Sequence, residues 1–231
     1  MTPVSAARAV LADITGEFER IYTALEPLSA AFAAIIEKRP RVNREDLAPL
    51  RPSIFAMLAD HRDLVAGAGL ITAPGLLADS VYWLEWWWTR ASGTPEALRV
   101  NLDPAAPDFF DYASDDWYAA PMQTGLPHVS GPYVDYACTN QYALTVSVPV
   151  RVHDQLVGVA ASDVLVASLE QRILPALRRL DPPLVLVNAA GRVVVSSAPD
   201  YAPGHLMTRG VGEPIALSGA RTIGWRLLAV A

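Results

Sequence analysis

The sequence predicts an α+β protein: a long N-terminal helix, then an antiparallel sheet, then a small C-terminal β module. Three observations predict it. Apolar residues from Leu11 to Ile35 recur at alternating spacings of three and four, the period of one helix face. Two strand-like stretches, Ala143 to Val152 and Leu156 to Asp163, are joined only by His153-Asp154-Gln155, which forces a hairpin. Asp181-Pro182-Pro183 then stops a helix and sets off a short stretch of strand-like segments, too small for a strong independent fold. With 52% hydrophobic residues among 231, the chain has ample material for a packed core.

The elements follow in order. Thr2-Pro3 opens the first helix with a capping hydroxyl and a residue already fixed near helical φ; the pattern runs to about Lys38, with Pro27 expected to kink it. Its stripe is Leu11, Ile14, Phe18, Ile21, Leu25, Leu28, Phe32 and Ile35, a seam that suits either packing on its own domain or a homodimer. A second helix is predicted from Arg44 to His61. Strands are predicted at Leu64 to Thr72 and Tyr82 to Thr89, with Pro74-Gly75 turning between them. The second carries four tryptophans, and alternation sends Trp86 and Trp88 to one face and Trp83 and Trp87 to the other, so they cannot form one cage.

Asn101 to Asp111 reads as a loop, leading to a short helix at Asp115 to Met122; together they are a candidate lid. Strands at Tyr133 to Ala137, Ala143 to Val152 and Leu156 to Asp163 follow, then a helix from Leu165 to about Leu180. Leu184 to Asn188 and Arg192 to Ser196 make a second hairpin, and Ile215 to Leu217 with Thr222 to Val230 complete a small sheet.

Composition narrows the function. Formal net charge is −6 and the basic residues are scattered, so the footprint of a nucleic-acid partner is missing. The single cysteine, Cys138, cannot form an internal disulfide and reads as a buried, inert thiol. No segment reaches the roughly 18 apolar residues of a membrane span, so the chain as written reads as a soluble cytoplasmic protein; an excised extracytoplasmic domain would read the same way. No phosphate loop, nucleophile elbow or metal-spaced histidine pair is present, and no cofactor, metal or catalytic residue is predicted.

The informative clusters join acids to aromatic rings: Asp115-Asp116-Trp117-Tyr118, then Ser130-Gly131-Pro132-Tyr133-Val134-Asp135, then Val157-Gly158-Val159 leading to Asp163. Carboxylates supply counter-charge and ring faces supply cation–π attraction, the chemistry of a small organic cation site. Each has a plainer reading. Asp163 is also a good N-cap for the helix at Leu165, Asp115 and Asp116 suit the start of the short helix, Trp117 suits a core, and His128 suits a solvated loop.

The order of these motifs, after a long helix and two strands, resembles the Cache family of sensor domains over about residues 5 to 180, with Leu184 to Ser197 like the reduced second module of a double Cache domain. The resemblance implies a PAS-like fold, a ligand-binding module over residues 1–180 and a reduced module over 181–231. It also implies a site at Trp117, Tyr133, Asp135 and Asp163. In amino-acid-binding members an Arg two residues before the Trp grips the ligand carboxylate; here that position is Asp115, and Phe110 stands at a family Tyr, with Tyr112 nearby as its substitute. The site residues expected are therefore Tyr112, Asp115, Trp117, Tyr118, Tyr133, Asp135 and Asp163. The expected ligand is a small amine, a diamine or quaternary ammonium compound, or an amino acid. The function expected is a non-catalytic sensor, homodimeric through the N-terminal helix, signalling to a further protein. Two other readings stand beside it: a structural dimerisation module with a vestigial pocket, and an enzyme using Asp115, Asp116, Asp135 and Asp163.

Overall fold

A computed structural model describes residues 3–90, 92–207, 211–216 and 224–230. Helix α1 spans Pro3–Lys38 and continues through Pro27, which lies on its exposed side. Its apolar stripe from Leu11 to Phe32 is buried within the chain, and Ile35 is half-buried. The single helix expected from Arg44 to His61 is instead a 3₁₀ segment, Arg44–Leu50, followed by α2 at Arg51–Asp60. Pro49 and Pro52 are the physical cause: neither has an N–H to donate, and an α-helix tolerates that loss only in its first turn, where Pro52 falls.

Strands β1 (Val65–Thr72), β2 (Leu84–Thr89) and β3 (Pro95–Ala97) form an antiparallel meander, with Gly67 opposite Trp88 and Gly69 opposite Trp86. The short β3 was not legible in the sequence. Strand β2 starts two residues later than expected because the Trp83 N–H donates to the Tyr112 hydroxyl (3.2 Å) rather than to a strand. Trp86 and Trp87 do face opposite ways. The Trp86 indole lies over Gly67, its Nε1 3.0 Å from where a side chain would begin. Trp87 meets Phe55 of α2 edge to face at 4.8 Å, and the Arg51 guanidinium sits 5.5 Å above its ring. Glu85, 3% exposed, accepts from both Arg51 (2.7 Å) and the Trp87 indole (2.8 Å).

After α3 (Asp116–Thr124) come β4 (His128–Val134), β5 (Tyr142–Val152), β6 (Gln155–Leu165) and α4 (Val166–Leu177). The β5–β6 hairpin has a two-residue turn, with His153 at φ 50°. The result is a six-stranded, PAS-like antiparallel sheet in the order β3-β2-β1-β6-β5-β4. Gly158 lets β6 come close to β1: a Cβ there would fall 2.1 Å from the Ile71 carbonyl oxygen. A second sheet of four strands, β7 (Leu184–Val187), β8 (Val193–Ser196), β9 (Val211–Ala216) and β10 (Arg226–Ala229), has the order β8-β7-β10-β9. The parts of the expected last strands at Leu217, Thr222 and Ile223 lie outside the described residues.

The chain divides into two compact units, one of residues 1–20, 130–144 and 164–231 and the other of residues 21–129 and 145–163. In the first, Phe18 meets Trp225 edge to face at 5.1 Å and Arg172 pairs with Glu17 at 2.9 Å. Its β sheet closes over Val185, Val187, Val193, Ala198 and Val230. In the second, Leu47, Ile54, Leu70, Ile71, Val146 and Val159 are fully buried.

Candidate functional site

Helix α3 is held at its start by aromatic rings. Tyr112 is wholly buried; its hydroxyl donates to the Thr72 carbonyl (2.9 Å) and accepts the Trp83 N–H. The Tyr118 hydroxyl reaches the same carbonyl at 3.4 Å. Tyr82, Phe109, Tyr112 and Tyr118 stack edge to face at 4.8 to 5.5 Å between centroids. Burial pushes both the Tyr112 and Tyr118 phenols up from their ordinary pKa, so both stay neutral donors. Both tyrosine hydroxyls thus tie the segment around α3 to β1.

Asp115 occupies the N-cap position of α3 with extended backbone angles, but its side chain caps nothing. The Trp117 side chain lies near enough to favour its charged form. Desolvation raises the Asp115 carboxyl above the usual carboxylate range, the Trp117 side chain opposes this, and Asp111 adds to the rise. Asp116 turns away to the His128 Nε2 (2.8 Å), so His128 is a strand residue with a partner rather than a loop residue.

Asp163 lies inside β6, 6% exposed, and accepts the Thr145 hydroxyl of β5 at 2.6 Å. It caps no helix: the N-cap of α4 is Leu165, with no side-chain hydrogen bond. Ser147, two residues beyond Thr145 on β5, is also fully buried. Neither hydroxyl was named from the sequence, although two polar residues at alternate positions of an apolar strand were the signal that could have found them.

Thr72, which takes both tyrosine hydroxyls, lies against Gly158, since a Cβ there would be 3.1 Å from the Thr72 Cα. Asp163 is five residues further along β6, roughly 16 Å at about 3.3 Å per residue. Tyr133 and Asp135 belong to the other unit. Tyr133 is half-buried on β4. Asp135 is buried and organises the β4–β5 loop: its carboxylate accepts the N–H groups of Ala137 (3.2 Å), Cys138 (3.1 Å) and Thr139 (3.0 Å) and the Thr139 hydroxyl (2.9 Å). That network ends β4 at Val134, earlier than the sequence suggested, and leaves Cys138 half-exposed in a loop instead of buried in a strand. Among the described residues, no three of His, Cys, Asp or Glu are grouped to hold a metal ion.

A long N-terminal helix, a six-stranded PAS-like sheet and a small second sheet make up the fold. Residues 96–171 match the family described as methyl-accepting chemotaxis protein-like, first PDC sensor domain. No curated protein matches the chain. Solved structures do. One is methyl-accepting chemotaxis protein X, 16% identical over 98% of this chain and 94% of that one, with a TM-score of 0.61. Another is the ligand-binding domain of Campylobacter jejuni chemoreceptor Tlp3 in complex with 4-methylisoleucine, 13% identical over 97% and 82%, with a TM-score of 0.62. A third is the ligand-binding domain of the Pseudomonas aeruginosa amino acid chemoreceptor PctC in complex with GABA, 18% identical over 95% and 93%, with a TM-score of 0.59. At these identities the likeness is one of fold. No helix among the described residues is long and apolar enough to cross a membrane.

Proposed function

We propose that this chain is a non-catalytic sensor module that binds a small molecule bearing a protonated amine, an amine or an amino acid, and passes its occupancy to a signalling partner. The observation that carries the proposal is the Asp163 carboxylate, buried in the sheet with the Thr145 hydroxyl against it. In a site of low dielectric such a carboxylate attracts an ammonium group far more strongly than it would in water. The molecules held by the Tlp3 and PctC domains, 4-methylisoleucine and GABA, both carry a primary amine.

Asp115 supports a finer reading. It stands where the family resemblance places a carboxylate-gripping Arg, and its desolvated carboxyl would repel a ligand carboxylate. A ligand with an amine and no carboxylate fits better than an amino acid. Domain organisation follows the same reading: residues 1–180 as the ligand-binding module, residues 181–231 as the reduced second module.

The proposed signalling state is a homodimer through α1. Its buried stripe is already used within the chain, so the contact falls on the opposite face, where Ala9, Ala12 and Gly16 are small and exposed. A Cβ built on Gly16 meets nothing within 4 Å, so packing inside the chain does not require a glycine there.

A thermal-shift screen of alkylamines, diamines, quaternary ammonium compounds and amino acids tests the function. A ligand at about 100 times its Kd stabilises by about 2.7 kcal/mol. Asp163→Asn should abolish that shift while the unliganded chain still unfolds cooperatively. Stabilisation by amino acids alone would overturn the role given to Asp115, and silence across the panel would favour the dimerisation module.

A further inference from the structure

The Ser147 hydroxyl is the most informative group the site has not yet used. Ser147 is fully buried, and its Oγ has no hydrogen-bond partner among the described residues. A buried hydroxyl without a partner is costly, and native proteins leave very few of them. Ser147 lies on β5 two residues from Thr145, so strand alternation puts both side chains on the same face, and Thr145 is bonded to Asp163. Ser162, the other buried hydroxyl of this strand pair without a partner, is next to Asp163 in sequence and so points to the opposite face.

We propose that Ser147 is a specificity-determining contact of the ligand site, accepting or donating a hydrogen bond to a polar group at the far end of an amine ligand. The inference rests on the amine-binding reading of Asp163. Two residues of strand separate Thr145 from Ser147, roughly 6–7 Å. The ligand class is therefore an amine whose second polar group, a hydroxyl, amide or further amine, sits about that far from the ammonium. A pocket that offers a buried hydrogen-bonding group discriminates against an analogue lacking the matching group, because the protein group is then left unpaired.

The test compares aminopentanol, with hydroxyl and amine at opposite ends of a pentyl chain, with pentylamine by titration calorimetry on the full chain. The unaltered protein should bind aminopentanol about tenfold more tightly, the worth of one net hydrogen bond. Ser147→Ala should erase that preference, leave pentylamine affinity unchanged and leave the unliganded thermal midpoint no lower. A preference that survives Ser147→Ala, or no preference in the unaltered protein, overturns the assignment while leaving Asp163 in place. Should neither amine bind, or should Asp163→Asn leave pentylamine binding intact, the amine reading itself fails and takes the Ser147 assignment with it.

Discussion

Asp135 and Asp115 look alike in sequence, each a carboxylate near aromatic residues, yet their surroundings give them different work. Asp135 accepts four donors from its own loop, so its removal leaves three backbone N–H groups without their acceptor. Asp135→Ala should lower stability by roughly 2–3 kcal/mol in urea unfolding, an effect visible without any ligand. Asp115 has the opposite character. Its folded-state pKa is raised by burial, so the folded chain holds that proton more tightly than the unfolded chain does. The Asp115 contribution to stability is therefore present at low pH and is lost as pH rises through the raised value. Asp115→Asn should consequently gain on the parent protein in thermal midpoint as pH rises through and above the ordinary carboxylate range.

At the scale of elements, β4 depends on Gly131 and Asn188. Gly131 has φ 105°, and a Cβ there would fall 2.7 Å from the Ala143 carbonyl oxygen. Gly131→Ala should cost about 2–3 kcal/mol of unfolding free energy through strain and overpacking together. The Asn188 side chain donates to the Gly131 carbonyl at 2.7 Å and accepts the Arg192 N–H at 2.8 Å, tying the hairpin of the second sheet to the strand that carries Tyr133. Asn188→Ala should speed amide hydrogen exchange in residues 131–135 while leaving β1 and β2 unchanged; equal rates in both proteins would mean the tie is inert. Most elements were legible because their hydrophobic period is strong: α1, β1, β5, β6 and α4 fall within a few residues of their expected bounds. The exceptions have local causes. Two prolines divided one expected helix, and the Asp135 side chain ended β4 early by drawing the next N–H groups onto itself. Short β3, Pro95–Ala97, has too few residues to show any period.

For the whole molecule, the exposed small-residue face of α1 makes the proposed association testable. Gly16→Trp should abolish a dimer measured by light scattering at micromolar concentration and leave the monomer folded, since a Cβ there meets no other element among the described residues within 4 Å. Loss of fold in that variant, or an unchanged mass, would remove α1 from the interface.

The sequence by itself determined the long helix with its buried stripe, the antiparallel hairpins, the small second sheet and the likeness to Cache sensors. Those follow from periodicity, turn chemistry and motif order, which are local along the chain. Only the tertiary structure decided which groups each acid and ring meets within the chain. Tyr112 and Tyr118 anchor α3 to the Thr72 carbonyl and Asp135 saturates its own loop, whereas Asp163 stands inside the sheet with Thr145 and Ser147 on neighbouring β5. A carboxylate or hydroxyl is the same letter whether its partners come from the backbone or from a ligand. Which of the two it meets depends on contacts between residues as far apart as Tyr112 and Thr72, and no local pattern records those.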